Sequence, residues 1–251
     1  MLVLALDTTT RAGSVALVDD DRVIDERAGD PARTHAERLP RDLLVLLEAH
    51  GRRTLDVDLF AVAAGPGSFT GLRVGIATLQ GLAFVHRRPL IPISALDVLA
   101  RIASRDAHEG SWVGTWMDAH RRDVFSALYR VTQGPVFGAA GVVEIEGPQV
   151  DDPVATLERW DGLVDGQAIA FIGDGATAWV DAIRQRRRDA RIVGHPLLAA
   201  GIGRMAAAQA AAGVTGNPAH VRPLYVRKPD AVIERERKAF KQGPTDPNEI
   251  R

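Results

Sequence analysis

The chain opens on a continuous apolar run, Leu2-Val3-Leu4-Ala5-Leu6, which stops at Asp7 and reads as a strand buried on both faces. Thr8-Thr9-Thr10-Arg11-Ala12-Gly13 leads into a second run at 14–18, and Asp19-Asp20-Asp21 turns the chain into a third at 22–27. Short strands joined by such turns predict an antiparallel meander. The period then becomes helical. Ala36, Leu39, Leu43, Leu46 and Leu47 share one stripe of a helix predicted over about 34–50, with Gly51 as its stop. A buried strand at 58–64, the turn Gly65-Pro66-Gly67-Ser68, a helix at 69–86, a strand at 89–93 and a helix at 95–105 complete a first unit.

After a linker at 106–110, strands at 112–118 and 123–131 flank the turn Ala119-His120-Arg121-Arg122. A Gly- and Pro-rich stretch at 133–150 surrounds a short strand at 142–145. A helix at 152–160, a strand at 168–172, a helix near 176–188 and an Ala-rich helix at 196–212, stopped by Gly213, follow. Each half reads strand-strand-strand-helix-strand, which suggests a duplicated α/β architecture. The expected units are 1–105, 106–195 and the helix at 196–213, with a charged tail at 227–251 expected to fray.

Composition narrows the chemistry. The 251 residues are 46% hydrophobic and 25% charged, the make-up of an ordinary globular protein with real cores. A net charge of −1 supplies no global basic field for nucleic acid. The absence of cysteine removes disulfide scaffolds, thiolate zinc sites and cysteine nucleophiles. The first apolar run lacks a basic leader and ends too soon for a signal peptide or membrane span, so a cytoplasmic protein is expected.

Several segments carry candidate chemistry, each with a plainer alternative. Asp7-Thr8-Thr9-Thr10 at a strand end offers hydroxyls and backbone N–H groups to an anion, or is simply an Asp-capped hairpin turn. Gly65-Pro66-Gly67-Ser68 precedes a helix as an anion cradle would, but Pro66 lacks a donor and no P-loop lysine follows, which favours a structural turn. His35, Glu37 and Arg38 lack a neighbouring nucleophile and read better as a solvated first helical turn, with Glu37 near the positive helix end. Arg186-Arg187-Arg188 reads as a solvated cluster, with an RNA contact as its alternative. Leu43-Leu44-Val45-Leu46-Leu47 points apolar side chains in nearly every direction, more than one sheet can cover. Gly71, Gly75 and Thr78 make a small-residue face that admits close helix packing, either on the chain's own sheet or on a partner.

The segment Ala63-Ala64-Gly65-Pro66-Gly67-Ser68-Phe69-Thr70-Gly71-Leu72-Arg73-Val74-Gly75-Ile76 resembles the TsaB (YeaZ) family closely. So do Leu6-Asp7-Thr8-Thr9, Thr34-His35-Ala36-Glu37-Arg38-Leu39-Pro40, Met117-Asp118-Ala119, Gly173-Asp174-Gly175-Ala176 and Pro223-Leu224-Tyr225-Val226-Arg227. The resemblance implies an α/β actin-like fold of the actin, sugar-kinase and Hsp70 superfamily, in two subdomains, with the helix at 196–213 returning to the first. It implies a non-catalytic subunit that binds a TsaD-like catalytic subunit in tRNA threonylcarbamoyladenosine synthesis. A TsaE-like ATPase would be a further partner, a TsaC-like enzyme would supply the adenylate, and any tRNA contact would be indirect or weak. Where the catalytic paralogue carries metal-binding histidines, this chain has Ala95 and Leu99, so no metal and no resident cofactor are expected. Asp7, Thr8, Thr9 and Thr10 would be a vestigial phosphate turn. The expected partner surface comprises His35, Glu37, Leu39, Leu43, Leu44 and Leu47 on one helix and Phe69, Thr70, Gly71, Arg73, Gly75 and Thr78 on the next. Alone, the chain would use it to form a homodimer. The alternatives are a nucleotide-dependent transferase or kinase working from Asp7, and a peptidase.

Overall fold

The first apolar run forms the centre of a sheet. In the computed structural model, which describes residues 1–227, β1 (Leu2–Asp7) is buried along its whole length. It pairs antiparallel with β2 (Ser14–Asp19), which pairs antiparallel with β3 (Arg22–Ala28). On its other side it pairs parallel with β4 (Leu59–Gly65), followed by β5 (Leu90–Ser94), so the order is β3-β2-β1-β4-β5. Parallel neighbours need crossover helices. α1 (His35–Ala49) leads from β3 to β4, and α2 (Phe69–His86) leads from β4 to β5.

α3 (Ala95–Ser104) then passes to the second half, where β6 (Trp112–Asp118), β7 (Val124–Val131) and β8 (Val142–Asp151) form the meander. α4 (Pro153–Val164) leads to β9 (Ile169–Ile172), and α5 (Asp174–Ala178) with α6 (Val180–Arg186) leads to β10 (Arg191–Val193). This sheet is ordered β10-β9-β6-β7-β8, which from the meander edge inward repeats the first sheet strand for strand. α7 (Ala199–Ala211) comes last.

Three differences from the sequence pattern have local causes. The helix expected near 176–188 is two short helices, because Trp179 leaves helical geometry (φ −111°, ψ 25°) while packing against the apolar cluster of the second sheet. The strand expected at 142–145 runs on to Asp151 through Gly147 and Pro148, which β8 tolerates as the sheet edge. β10 is too short and too polar at its flanks to register as a strand. Residues 228–251, nearly all of the expected tail, lie outside the described residues.

Three apolar clusters stack the layers. α1 and α2 cover one face of the first sheet, packing Leu39, Leu43, Leu46, Ile76 and Leu79 onto Leu4, Leu6, Phe60 and Val62. α3 and α7 lie between the two sheets, where Leu96, Leu99, Ile202 and Met205 join Val3, Ala61, Met117 and Tyr129 in one cluster. The far face of the second sheet packs Trp116 and Phe171 against Trp160 of α4, with ring centroids 5.3–6.0 Å apart.

α7 crosses back onto the first half. A Cβ on Gly203 would lie 2.8 Å from Val18 Cγ2 and 3.3 Å from Ala5 Cβ, so glycine permits the close approach. No side chain within α7 caps its start. Instead, the backbone N–H groups of Leu198 and Ala199 donate to Ser14 Oγ of β2 (3.3 and 3.0 Å), and that of Ala200 donates to Glu26 Oε1 of β3 (2.8 Å). The first sheet thus supplies the acceptors that the helix end requires.

Trp160→Ala is expected to cost about 3–5 kcal/mol, the range for emptying a large aromatic site. The loss is compounded because Glu146 Oε1, which accepts from Trp160 Nε1 at 2.7 Å, loses that donor. The urea unfolding midpoint measures the cost, and a loss below about 1 kcal/mol would place Trp160 outside the core.

Candidate functional site

The turn that ends β1 is closed by its own chain. Asp7 is 2% exposed, and its Oδ1 accepts from the Thr9 backbone N–H (2.8 Å) and the Thr9 hydroxyl (2.6 Å). Burial pushes the Asp7 carboxyl above the usual range, against the lowering pull of these two bonds and of nearby His195 and His35. The Gly13 N–H donates to Thr10 Oγ1 (3.2 Å), and Ser68 donates through its N–H to the Thr9 carbonyl (3.1 Å). The start of α2 sits directly on the turn. A Cβ on Gly67 would come 2.7 Å from Thr9, and Cβ atoms on Gly71 and Gly75 would collide with Thr8. Of the residues expected in a phosphate turn, Asp7 and Thr9 bond each other, Thr10 Oγ1 accepts from Gly13, and the Thr8 hydroxyl is buried without a partner. Thr8 and Thr9 are buried, and the Thr9 and Gly13 N–H groups are already engaged.

α1 braces the same turn from the other side. His35 Nε2 lies 3.1 Å from the Thr10 carbonyl, and its Nδ1 lies 2.8 Å from Arg38 Nη2. Arg38 donates, so the ring is neutral with its proton on Nε2, and burial together with the Arg38 charge lowers its pKa. Arg38 is 1% exposed, pairs with Asp42 at 2.6 Å and donates to the Ala12 carbonyl, while Gly29 leaves space for its guanidinium. Of the expected solvated first turn, Arg38 is instead buried and His35 half-buried, and the two clamp the β1 turn. Glu37 is exposed, and its carboxylate accepts from Thr34 N and Oγ1, both at 2.7 Å, in a capping box.

The expected partner surface divides by direction. Leu39, Leu43 and Leu47 are buried on the sheet, whereas Leu44 is 49% exposed and Val45 is also exposed. Gly71 and Gly75 face Thr8, and the Thr78 hydroxyl donates to the Val74 carbonyl (2.7 Å). Phe69, Thr70 and Arg73 face outward. The same outward side continues over Ala77 and Gly81 to Phe84 and Val85, which are 80% and 72% exposed. A signal for those two was available: Leu72, Ile76, Leu79 and Ala83 form a complete sheet-facing stripe, and Phe84 and Val85 lie off it.

Two other segments singled out in the sequence are part of the packed structure. Ala95 and Leu99 are buried in the layer between the sheets. Arg186 and Arg187 both pair with Asp161, at 2.6 and 2.5 Å, so this cluster is largely neutralised by its neighbours.

The raised Asp7 pKa carries a stability prediction with a definite sign. Folded Asp7 takes up a proton more readily than the unfolded chain does, so its contribution is fully present at low pH and lost as pH rises through the folded pKa. Asp7→Asn does not titrate. The stability advantage of wild type over Asp7→Asn is expected to be smallest near neutral pH and to grow as pH falls, and a pH-independent difference in urea midpoints would remove burial as the cause. Arg38→Met, which strips the Ala12 carbonyl and His35 of a donor, is expected to cost about 2–4 kcal/mol in the same assay.

Relatives share this architecture. A family model described as TsaD, tRNA N6-adenosine threonylcarbamoyltransferase, matches residues 29–161, more than half of the chain. The tRNA threonylcarbamoyladenosine biosynthesis protein TsaB of Escherichia coli is 31% identical over 229 residues, covering 90% of this chain and 95% of the relative. A Pseudomonas aeruginosa crystal structure, described as similar to peptidase YEAZ, superposes with a TM-score of 0.72 at 30% identity and covers 90% of this chain and 99% of that one. Component A of the (R)-2-hydroxyglutaryl-CoA dehydratase of Acidaminococcus fermentans shares the fold alone, with a TM-score of 0.51 at 14% identity over 84% of this chain and 99% of its own. With its duplicated strand order, its closed β1 turn and this full-length similarity, the chain belongs to the TsaB (YeaZ) family and has its α/β actin-like fold.

Proposed function

We propose that the chain is a non-catalytic subunit of tRNA threonylcarbamoyladenosine biosynthesis that binds a TsaD-like catalytic subunit through the outward side of α1 and α2. The observation that carries this reading is the uncovered apolar ridge of Leu44 and Val45 on α1 and Phe84 and Val85 on α2. An exposed Phe beside an exposed Val has few reasons other than contact, and a patch of this kind marks an interaction site. Ala77 and the open Gly81, with nothing near its Cβ direction, let a partner helix approach α2 closely. At the end of the ridge, a hollow of about 620 Å³ between Phe84, Arg88, Pro89 and Pro218 offers room for a partner side chain.

The absence of catalysis in this subunit is supported by two features. Asp7 Oδ1 is engaged by Thr9 with Thr8 buried beside it, and α3 buries Ala95 and Leu99 where the catalytic paralogue has metal-binding histidines. The TsaE-like ATPase would act on the assembled pair, and the TsaC-like enzyme would supply its adenylate. A homodimer through the same ridge would compete with the heterodimer when the catalytic subunit is scarce. Tests begin with co-purification of this chain and the catalytic subunit of the same organism, followed by tRNA modification with and without this chain.

The interface prediction separates outward from inward residues. Leu44→Asp with Phe84→Asp is expected to abolish co-purification and stimulation of modification while leaving the free chain within about 0.5 kcal/mol of wild-type stability. Gly75→Leu is expected to lower the melting temperature of the free chain, because its side chain meets Thr8 and not the partner. Intact binding by the double aspartate variant would place the interface elsewhere.

A further inference from the structure

Beyond Gly213, residues 214–227 form a strap whose contacts run from β5 and α2 to the turn after β6. The Gly216 carbonyl accepts from the Leu90 N–H at the edge of β5 (3.2 Å). Gln80 Nε2 of α2 donates to the carbonyls of Pro218 (2.7 Å) and Val221 (3.3 Å). The Leu224 N–H donates to the Ala64 carbonyl at the end of β4 (2.7 Å). Tyr225 stacks on Phe69 with centroids 5.1 Å apart, accepts at its hydroxyl from Arg73 Nε (2.8 Å), and shares with Phe69 the Arg73 guanidinium, 3.9 Å above the Phe69 ring. Two residues later the strap crosses to the second half, where Arg227 donates to the Ala119 carbonyl (2.6 Å) and pairs with Asp123.

Arg227 holds an unusual turn. His120, Arg121 and Arg122 all have left-handed backbones, with φ of 57°, 55° and 70°, a run that side-chain-bearing residues disfavour. Asp118 supports it from inside by accepting from the His120 N–H (2.8 Å), and Ala119 and Asp123 close it through their backbones (3.1 and 3.0 Å). Arg227 closes it from outside, gripping both residues that flank the strained run. Residues in such conformations persist only where the surrounding contacts over-determine them, and Arg227 is one of those contacts.

We propose that the strap is a mechanical tie. Through Tyr225 and Arg227 it couples occupation of the α2 face to the conformation of the turn at 119–123 in the second half. A partner packed over Phe69 and Arg73 holds Tyr225 in its stacked, hydrogen-bonded place, and the two-residue link from Tyr225 to Arg227 passes that constraint to the turn. This rests on the partner reading above, which the test keeps separate.

The test is hydrogen exchange at the Ala119 and Asp123 amides of the full chain, free and bound to the TsaD-like subunit, for wild type, Arg227→Ala and Arg227→Lys. In the free chain Arg227→Ala is expected to speed exchange at these amides about tenfold, as loss of a charge-assisted clamp would, and to leave β1 and β4 unchanged. Arg227→Lys, which keeps the charge but not the fork, is expected to fall between. Partner binding is expected to slow these amides in wild type and not in Arg227→Ala. Unchanged exchange in free Arg227→Ala overturns the tie, and equal protection by the partner in wild type and Arg227→Ala overturns the coupling. A wild-type chain that does not bind the subunit overturns the partner reading and the coupling with it, while the free-chain comparison still decides the tie.

Discussion

The close approach of α2 to the end of β1 determines most of what this molecule offers to others. Gly67, Gly71 and Gly75 let the helix rest on Thr8 and Thr9 with no side chain between them. On the opposite side the buried Arg38 guanidinium and His35 hold the carbonyls of Ala12 and Thr10. Asp7, Thr8 and Thr9 are buried in the turn enclosed in this way. The same contact orients α2, because glycines that face inward send Phe69, Arg73, Phe84 and Val85 outward. The closed turn and the open ridge are two consequences of one packing decision.

The layer between the sheets binds the halves together. α3 and α7 share one apolar cluster with residues of both sheets, so neither half has a complete core alone. The start of α7 is capped by Ser14 and Glu26, and burial raises the pKa of Glu26, with the nearby Asp7 charge a further cause. The carboxylate is tolerated because it accepts from a helix N-terminus, where the backbone dipoles favour negative charge. The strap adds a second connection on the outside, from α2 to the turn after β6.

The order and kind of nearly all the elements follow from local patterns in the chain. Apolar runs buried on both faces, a clean change to helical period, and turn residues at fixed places are local properties, and α2 in particular runs over Phe69–His86 as its pattern indicates. The duplication was also legible, since strand order follows from the connections. The family was legible from the Gly65–Ile76 segment, because several glycines there meet close-approach constraints that few folds impose.

Which way side chains face depends on packing between elements far apart in the chain. Leu39, Leu43 and Leu47 looked as available to a partner as Leu44, because an all-round apolar helix carries no mark of which stripe the sheet will take. Gly71 and Gly75 announced a close neighbour without naming it, and that neighbour is Thr8 of the same chain. His35 and Arg38 read as a solvated first turn because their partners, Thr10 and Ala12, lie more than twenty residues earlier. Burial and pairing across such distances depend on where the layers come to rest, which a one-dimensional pattern of apolar and polar positions does not encode.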